Sequence, residues 1–436
     1  GKFGCARSSQ GHVKCWGYNG YGQLGHGNTS TASDGDNEMG ENLAFVPLGA
    51  NRTALRISVG QSHACAMLDD GSVKCWGRNN YGQLGIGNNT QIGDGADEMG
   101  ENLATVNLGP DRTATDITAG SYYSCAILDD GSVKCWGYNG NGNLGIGNTT
   151  TMGDGANEMG ANLITVDLGT GRTAIAIDAG VAHTCAILDS GVLKCWGYNG
   201  NGNLGQGHTE SIGTGPDFDS NGISCHPSLN TDTNTRECNA RMGDGLPAVE
   251  LGDGRTAIAV SSGDSSTCAI LDNGSVRCWG SNSDGRTGMG VTSGNSGDSA
   301  EEMGDDLPNV ELGSGRTAAS ISVGYSHACV VLDNLSIACW GDNYYGEAGI
   351  GTSDDVDTAE EMGSGLGTAL LPTTKSSSVF SGLYHTCAII GDGTVRCWGE
   401  DSDGRLGVFD GVDDNIGDAS GEMEGELLVT NLYMVP

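Results

Sequence analysis

The chain has 436 residues, with 55 Asp and Glu against 20 Lys and Arg and a formal net charge of −35. Base this scarce excludes a broad phosphate-binding surface, because little could displace the counterions along a nucleic acid. No apolar run exceeds five residues (64–68 and 328–332), so no membrane-spanning helix of roughly 20 residues is encoded.

Collagen is excluded because the 76 glycines follow no three-residue period. Disorder is disfavoured because the hydrophobic 37% of the chain recurs in order. The chain opens on Gly1 rather than Met, which fits a processed or trimmed product.

Fourteen of the 16 cysteines fall in pairs ten apart: Cys5/Cys15, Cys65/Cys75, Cys125/Cys135, Cys185/Cys195, Cys268/Cys278, Cys329/Cys339 and Cys387/Cys397. Their first members are separated by 60, 60, 60, 83, 61 and 58 residues, and all seven Trp directly follow the second Cys of a pair. Seven repeats on a period of about 60 residues follow from that count.

Each unit reads as short strands. In the second, Thr53 to Val59 alternates apolar and polar residues, Cys65 to Leu68 is apolar, and Ser72 to Trp76 returns after Asp69-Asp70-Gly71. If Cys65 faces Cys75, a three-residue loop joins the strands, and its last residue is left-handed, normally Gly. Gly11, Gly71, Gly131, Gly191, Gly274 and Gly393 hold that position, and Leu335 departs from it.

Turn chemistry and cysteine register thus agree on one cross-strand disulfide per hairpin. The other roles open to these cysteines are buried thiols or metal ligands, but zinc favours pairs two to four residues apart, a spacing absent here. Persistent disulfides place the protein in an oxidising compartment, secreted or at an extracellular surface. Six glycosylation acceptors are compatible with that: Asn28, Asn51, Asn88, Asn148, Asn273 and Asn334.

Past each Trp lies a Gly-rich stretch, Trp76-Gly77-Arg78-Asn79-Asn80-Tyr81-Gly82-Gln83-Leu84-Gly85 in the second repeat, with close copies from Trp16, Trp136 and Trp196. Preceded by Val59-Gly60-Gln61-Ser62-His63 and the hairpin, it resembles the regulator of chromosome condensation repeat over nearly the whole chain. Thr287 and Ala348 stand where that repeat has Leu, and Asp401 where it has Asn.

The resemblance implies an all-β fold, a seven-bladed β-propeller of four-stranded antiparallel blades spanning residues 1–436. A blade cannot bury both faces alone, and radial stacking solves that. Closure is expected from pairing of the N- and C-terminal segments, because only four residues precede Cys5 and the tail Leu427 to Pro436 has no hairpin. The seven Trp are expected to pack between blades. His63, His183, His327 and His385 match the family's structural histidine.

Six repeats place an Asp four residues before a Glu-Met pair: Asp34/Glu38, Asp94/Glu98, Asp154/Glu158, Asp298/Glu302, Asp357/Glu361 and Asp418/Glu422. Two readings stand. Carboxylates among glycines and carbonyls suit Ca²⁺, although no EF-hand spacing is present. The same residues also suit a turn in which the acids cap backbone N–H groups.

The fourth repeat adds 23 residues at about 214–241, with Thr214 and Arg241 in place of the acids. Its Cys225 and Cys238 are expected to pair and pin a loop. Arg52, Arg112, Arg172, Arg255 and Arg316 recur in Arg-Thr-Ala and are expected to meet the acidic loops or carbonyls and tie blades together.

No G-x-S-x-G elbow or H-E-x-x-H occurs, and Asp129-Asp130-Gly131 up to Trp136 is two residues too long for the Asp-box of sialidases. The resembled family includes a nuclear exchange factor that binds chromatin and a secreted propeller that inhibits β-lactamases. The latter is the nearer analogy for a base-poor, disulfide-rich chain. The expectation is a non-enzymatic binding or scaffold propeller with a protein or glycan partner outside the cell, self-assembly included, and without nucleic acid. The alternative is a glycan-binding or glycan-cleaving propeller.

Overall fold

The computed structural model describes the chain apart from residue 36 and residues 216–241, 373–374, 409–414, 424–426, 431 and 433–436. Strands β1 (Phe3–Arg7) and β2 (Val13–Gly17) form the first sheet. The second contains β3 (Ala54–Val59), β4 (His63–Leu68) and β5 (Val73–Gly77), and the third β6 (Ala114–Ala119), β7 (Tyr123–Leu128) and β8 (Val133–Gly137). The fourth contains β9 (Ala174–Ala179), β10 (His183–Leu188) and β11 (Leu193–Gly197), and the fifth β12 (Ala257–Ser262), β13 (Ser266–Leu271) and β14 (Val276–Gly280). The sixth is β15 (Ala318–Val323), β16 (His327–Leu332) and β17 (Ile337–Gly341), and the seventh β18 (Ser376–Ser381), β19 (His385–Ile390) and β20 (Val395–Gly399).

Three strands are regular in six of the blades and two in the first. The fourth is an extended segment fastened by single backbone bonds, as where the Val46, Val106 and Val166 N–H groups donate to the Val13, Val73 and Val133 carbonyls, each at 2.8 Å. The apolar residues of these segments (Leu43, Val46 and Leu48 in the first blade) are buried. Burial rather than a continuous ladder therefore holds each outer edge.

The cysteine register is as expected. Cys5 lies opposite Cys15, Cys65 opposite Cys75, Cys125 opposite Cys135 and Cys185 opposite Cys195. Likewise Cys268 faces Cys278, Cys329 faces Cys339 and Cys387 faces Cys397. All seven pairs are disulfide-bonded, and no described cysteine is free.

The second member of each pair, Cys15, Cys75, Cys135, Cys195, Cys278, Cys339 or Cys397, is buried in the strand that carries the Trp. These cysteines are therefore staples of the blade core, closed to solvent and without a thiolate to offer a metal. Cys225 and Cys238 lie outside the described residues. The turn position is left-handed in each hairpin, from Gly71 at φ 76° to Leu335 at φ 70°. Leu335 therefore adopts the glycine conformation with a side chain attached.

The blades are joined by side chains reaching one repeat back or forward. All seven Trp are buried, and the Trp76, Trp136 and Trp196 Nε1–H groups donate to the carbonyls of Gln23, Gln83 and Asn143 at 2.9, 3.0 and 3.1 Å. His63 meets Ser124 Oγ at 2.9 Å, His183 meets Thr267 at 2.8 Å and His327 meets Thr386 at 2.9 Å, each on the next blade. Burial pushes the His63 imidazole down to about 3, so it is neutral. Around the axis, the Ala119, Ala179 and Val323 N–H groups donate to the hydroxyls of Ser58, Thr118 and Ser261.

The ring closes by the same contacts. Trp16 Nε1–H donates to the Arg405 carbonyl at 2.9 Å. Lys14 Nζ donates to the Leu432 and Gly40 carbonyls at 2.6 and 2.7 Å, as Lys74 Nζ does to Leu48 and Gly100 at 2.9 Å. The two ends of the chain thus meet. The closing contact is a buried ammonium on a carbonyl, and the tail's own backbone bond, Thr430 N–H to Val395 O at 3.0 Å, is made to β20.

The periodic arginines do something else. Arg52, Arg112, Arg172, Arg255 and Arg316 pair with Asp69, Asp129, Asp189, Asp272 and Asp333 at 3.1–3.4 Å, 17 residues onward in each case. These aspartates sit in the hairpin turn of the same blade, so the pairs brace a single sheet instead of tying neighbours or meeting the Glu-Met loops. Both partners are well exposed, and such pairs contribute little, about 0–1 kcal/mol each.

Candidate functional site

The acidic loops are built as joints between repeats. Glu98 Oε2 accepts the N–H groups of Gly93 and Gly95 at 2.8 Å, and Glu158 accepts those of Gly153 and Gly155 at 2.8 Å. Glu38, Glu302, Glu361 and Glu422 do the same for Ser33 to Gly35, Gly297 to Ser299, Asp357 and Thr358, and Gly417 and Ala419. Asp94 and Asp418 accept the side-chain amides of Gln91 and Asn415.

The capped loop presses on the preceding repeat, where a Cβ on Gly22 or Gly82 would lie 2.3 or 2.2 Å from the Asp94 or Asp154 nitrogen. Asp34, Asp298 and Asp357 stand at the same place in their own loops. Among the described residues no group of three or more His, Cys, Asp or Glu converges as a metal site would require.

Five sequon asparagines are exposed, and Asn148 is partly buried. Asn28, Asn88, Asn148, Asn273 and Asn334 accept, through Oδ1, the N–H of the sequon's own Ser or Thr at 2.7–3.1 Å. Asn51 sits in a left-handed turn at φ 58°.

The mouth of the central channel was not foreseen. It is a cavity of about 280 Å³ to which every blade contributes, from Gly1, Gly60, Gly120, Gly180, Gly263, Gly324 and Gly382. The residue after each Trp-Gly pair lies at this end, because its N–H donates to the loop entering the second strand: Tyr18 to Lys2, Arg78 to Ser62, Tyr138 to Tyr122, Asp342 to Ser326 and Glu400 to Tyr384. Tyr18, Tyr21, Tyr81, Tyr122, Tyr138, Tyr198, Tyr325, Tyr344, Tyr345 and Tyr384 all belong to these loops. Of the 12 tyrosines in the chain, Tyr123 is buried and Tyr433 lies outside the described residues.

Local rules set which tyrosines stand out. Where Tyr follows Trp-Gly, its hydroxyl lies over the glycine two residues on, and a Cβ on Gly20, Gly140 or Gly200 would be 2.1 Å from it. Where Arg78 or Asp342 takes that place, Asn80 or Tyr344 replaces the glycine. Tyr344 then projects with 67% exposure.

Two clusters result. In the first, Tyr81 contacts Tyr122 and Tyr138 with ring centroids 5.5 and 5.1 Å apart, and the Arg78 guanidinium stacks over Tyr21 and Tyr122 at 4.9 and 5.3 Å. In the second, Tyr345 meets Tyr384 at 5.4 Å and Tyr344 at 4.9 Å, and Tyr325 meets Tyr384 at 5.6 Å.

Carboxylates surround the second cluster. Desolvation raises the Tyr345 and Tyr384 phenols, and the neighbouring tyrosines together with Glu400 and Asp342 raise them further. Beneath it, buried Glu347 accepts the Tyr345 N–H at 2.9 Å. Burial raises this carboxyl to about 8, so it is largely protonated at neutral pH.

Comparisons with known proteins agree with this geometry. The profile described as the regulator of chromosome condensation (RCC1) repeat matches seven times, at residues 1–23, 55–83, 114–143, 174–203, 257–286, 318–347 and 377–405, and a second profile of the same description matches 70–127. The ultraviolet-B receptor UVR8 of Arabidopsis thaliana is 33% identical over 138 residues, 32% of this chain and 28% of the receptor, so under a third of that relative's length is spanned. Yeast RCC1 (Prp20), solved bound to Kap60, superposes with a TM-score of 0.67 over 96% of this chain and 85% of its own at 18% identity. Human WBSCR16 gives 0.62 over 92% and 90% at 16% identity. With seven matched repeats on seven blades, the chain belongs to the regulator of chromosome condensation repeat family.

Proposed function

We propose that this chain is a non-enzymatic binding propeller that works outside the cell and meets a protein partner through its tyrosine-bearing face. The observation that carries the reading is the gathering of ten half-exposed or exposed tyrosines at one end of a rigid ring. Tyrosine offers large contact area with few torsions to freeze, and it is enriched at binding surfaces for that reason.

Seven disulfides support an oxidising location. Yeast RCC1 (Prp20) was solved in complex with Kap60, so propellers of this family do engage proteins. On the opposite face the turn aspartates are already paired with the chain's own arginines.

A glycan and peptide array, read both for retention and for release of reducing sugar ends, tests the reading. Retention that falls in a Tyr81→Ser, Tyr344→Ser double variant, persists in Arg112→Ala, and occurs without turnover is expected. Hydrolysis of any sugar, or retention that depends on Arg112 instead, would overturn it.

A further inference from the structure

The tyrosine pair of one cluster is repeated, position for position, in the other. Tyr81 and Tyr345 both stand five residues after a Trp, and Tyr122 and Tyr384 both stand directly before the second strand of the next repeat, β7 or β19. The pairs have nearly equal spacing, 5.5 and 5.4 Å.

The occupant differs. Two residues after Trp76 comes Arg78, whose guanidinium lies over Tyr122 and Tyr21. Among the described residues its Nε finds no hydrogen-bond partner, and the rings hold the guanidinium. Two residues after Trp340 comes Asp342. Its carboxylate accepts Ser326 Oγ–H at 2.8 Å and Tyr344 N–H at 3.1 Å, and among the described residues it has no ion pair.

Glu400 is already paired with buried Arg405. Asp355 and Asp357 nonetheless add negative charge to the locality: burial first, and then Asp342, Asp357 and Asp284 (the last paired with Arg286), raise the Asp355 carboxyl. Buried Glu347 below has one carboxyl oxygen, Oε1, without a hydrogen-bond partner among the described residues.

We propose that Tyr345, Tyr384, Tyr344 and Asp342 form a receptor for an arginine side chain on a basic segment of a protein partner. The aromatic faces supply cation–π attraction and the carboxylate supplies an anionic partner, while the partner's guanidinium takes the place that the chain's own Arg78 fills in the first cluster. The inference rests on the tyrosine face being the binding face.

The intact protein is titrated with a (Gly-Ser-Arg)₃ peptide and with its citrulline counterpart, by calorimetry and tyrosine fluorescence. Saturable binding of the arginine peptide, at least about tenfold weaker for citrulline, is expected. Asp342→Arg, which gives the cluster its own guanidinium, and Tyr384→Ala should each cost about tenfold, while Asp70→Asn on the far face should stay within about twofold.

Equal affinity in native, Asp342→Arg and Asp70→Asn chains would overturn the proposal, as would equal binding of citrulline or no saturable binding. If array retention still depends on Tyr81 and Tyr344 in that event, only the arginine receptor fails. If that dependence is absent too, the binding-face reading falls with it.

Discussion

On one side of the ring Tyr81 and Tyr122 enclose Arg78; on the other Tyr345 and Tyr384 stand beside Asp342. Beneath each is the same hairpin with its disulfide, and the same buried Trp bonded one repeat back. The difference centres on the position two residues after the Trp, Arg78 or Asp342, and extends to its neighbours, where Asn80 becomes Tyr344, Gln83 becomes Glu347 and Tyr138 becomes Glu400. A propeller can thus keep a common core and give one cluster a stacked cation of its own and its copy carboxylates instead. Selection among surface functions needs no change in the fold.

The comparison requires equal scaffolds, and the largest effects test that. Trp76→Ala and Trp340→Ala should each destabilise by about 3–5 kcal/mol and agree within about 1 kcal/mol in denaturant unfolding. A wider gap would mean the two sites do not share a foundation.

The next effect separates them by pH. Glu347 is raised from 4.5 to about 8 in the folded chain, so the native state keeps a proton that the unfolded chain has released. Its contribution is complete below the unfolded value and is lost as pH rises through 8. Glu347→Gln, matching Gln23 and Gln83, should remove this loss and leave the protein on the order of 2–4 kcal/mol more stable at pH 9 with little change at pH 4. Gln83→Glu should transplant the pH dependence to the first cluster. Melting temperatures across pH 4–9 decide it, and a flat native profile would contradict the assignment.

Smaller again is Arg78→Asp, which removes the internal cation. It should cost about 1–2 kcal/mol and raise the stoichiometry of the arginine peptide from one to two by calorimetry. Unchanged stoichiometry would break the equivalence of the clusters. Last, Leu335→Gly relieves a left-handed leucine on the far face. A gain of about 0.5–1 kcal/mol is expected, with peptide affinity unchanged.

Much of the scaffold was legible because its parts repeat in one register. Cysteines ten apart, a Trp after the second, and a Gly at the turn each recur on the same period, and the structure places all three as expected. The tyrosine face was not legible. Its members come from several register positions in different repeats, such as Tyr18, Tyr21, Tyr122 and Tyr325, and only the ring gathers them.

The placement of the lysines was not legible either. Four of the six lysines, Lys14, Lys74, Lys134 and Lys194, precede the second Cys and are buried on carbonyls. A lysine fixed inside an apolar strand was the available signal, and buried lysines are rare unless satisfied in this way. The Arg-Thr-Ala arginines were periodic too, but so were the turn aspartates 17 residues on. Sheet register, unlike sequence period, selects which acid they meet.

The most direct measurement is a crystal structure of the intact protein with the arginine peptide. A guanidinium stacked on Tyr384 beside Tyr345 and bonded to Asp342, with Arg78 still over Tyr122, is the predicted result. A peptide seated on the Arg-Asp turns of the opposite face, with the Tyr345–Tyr384 cluster empty, would contradict it.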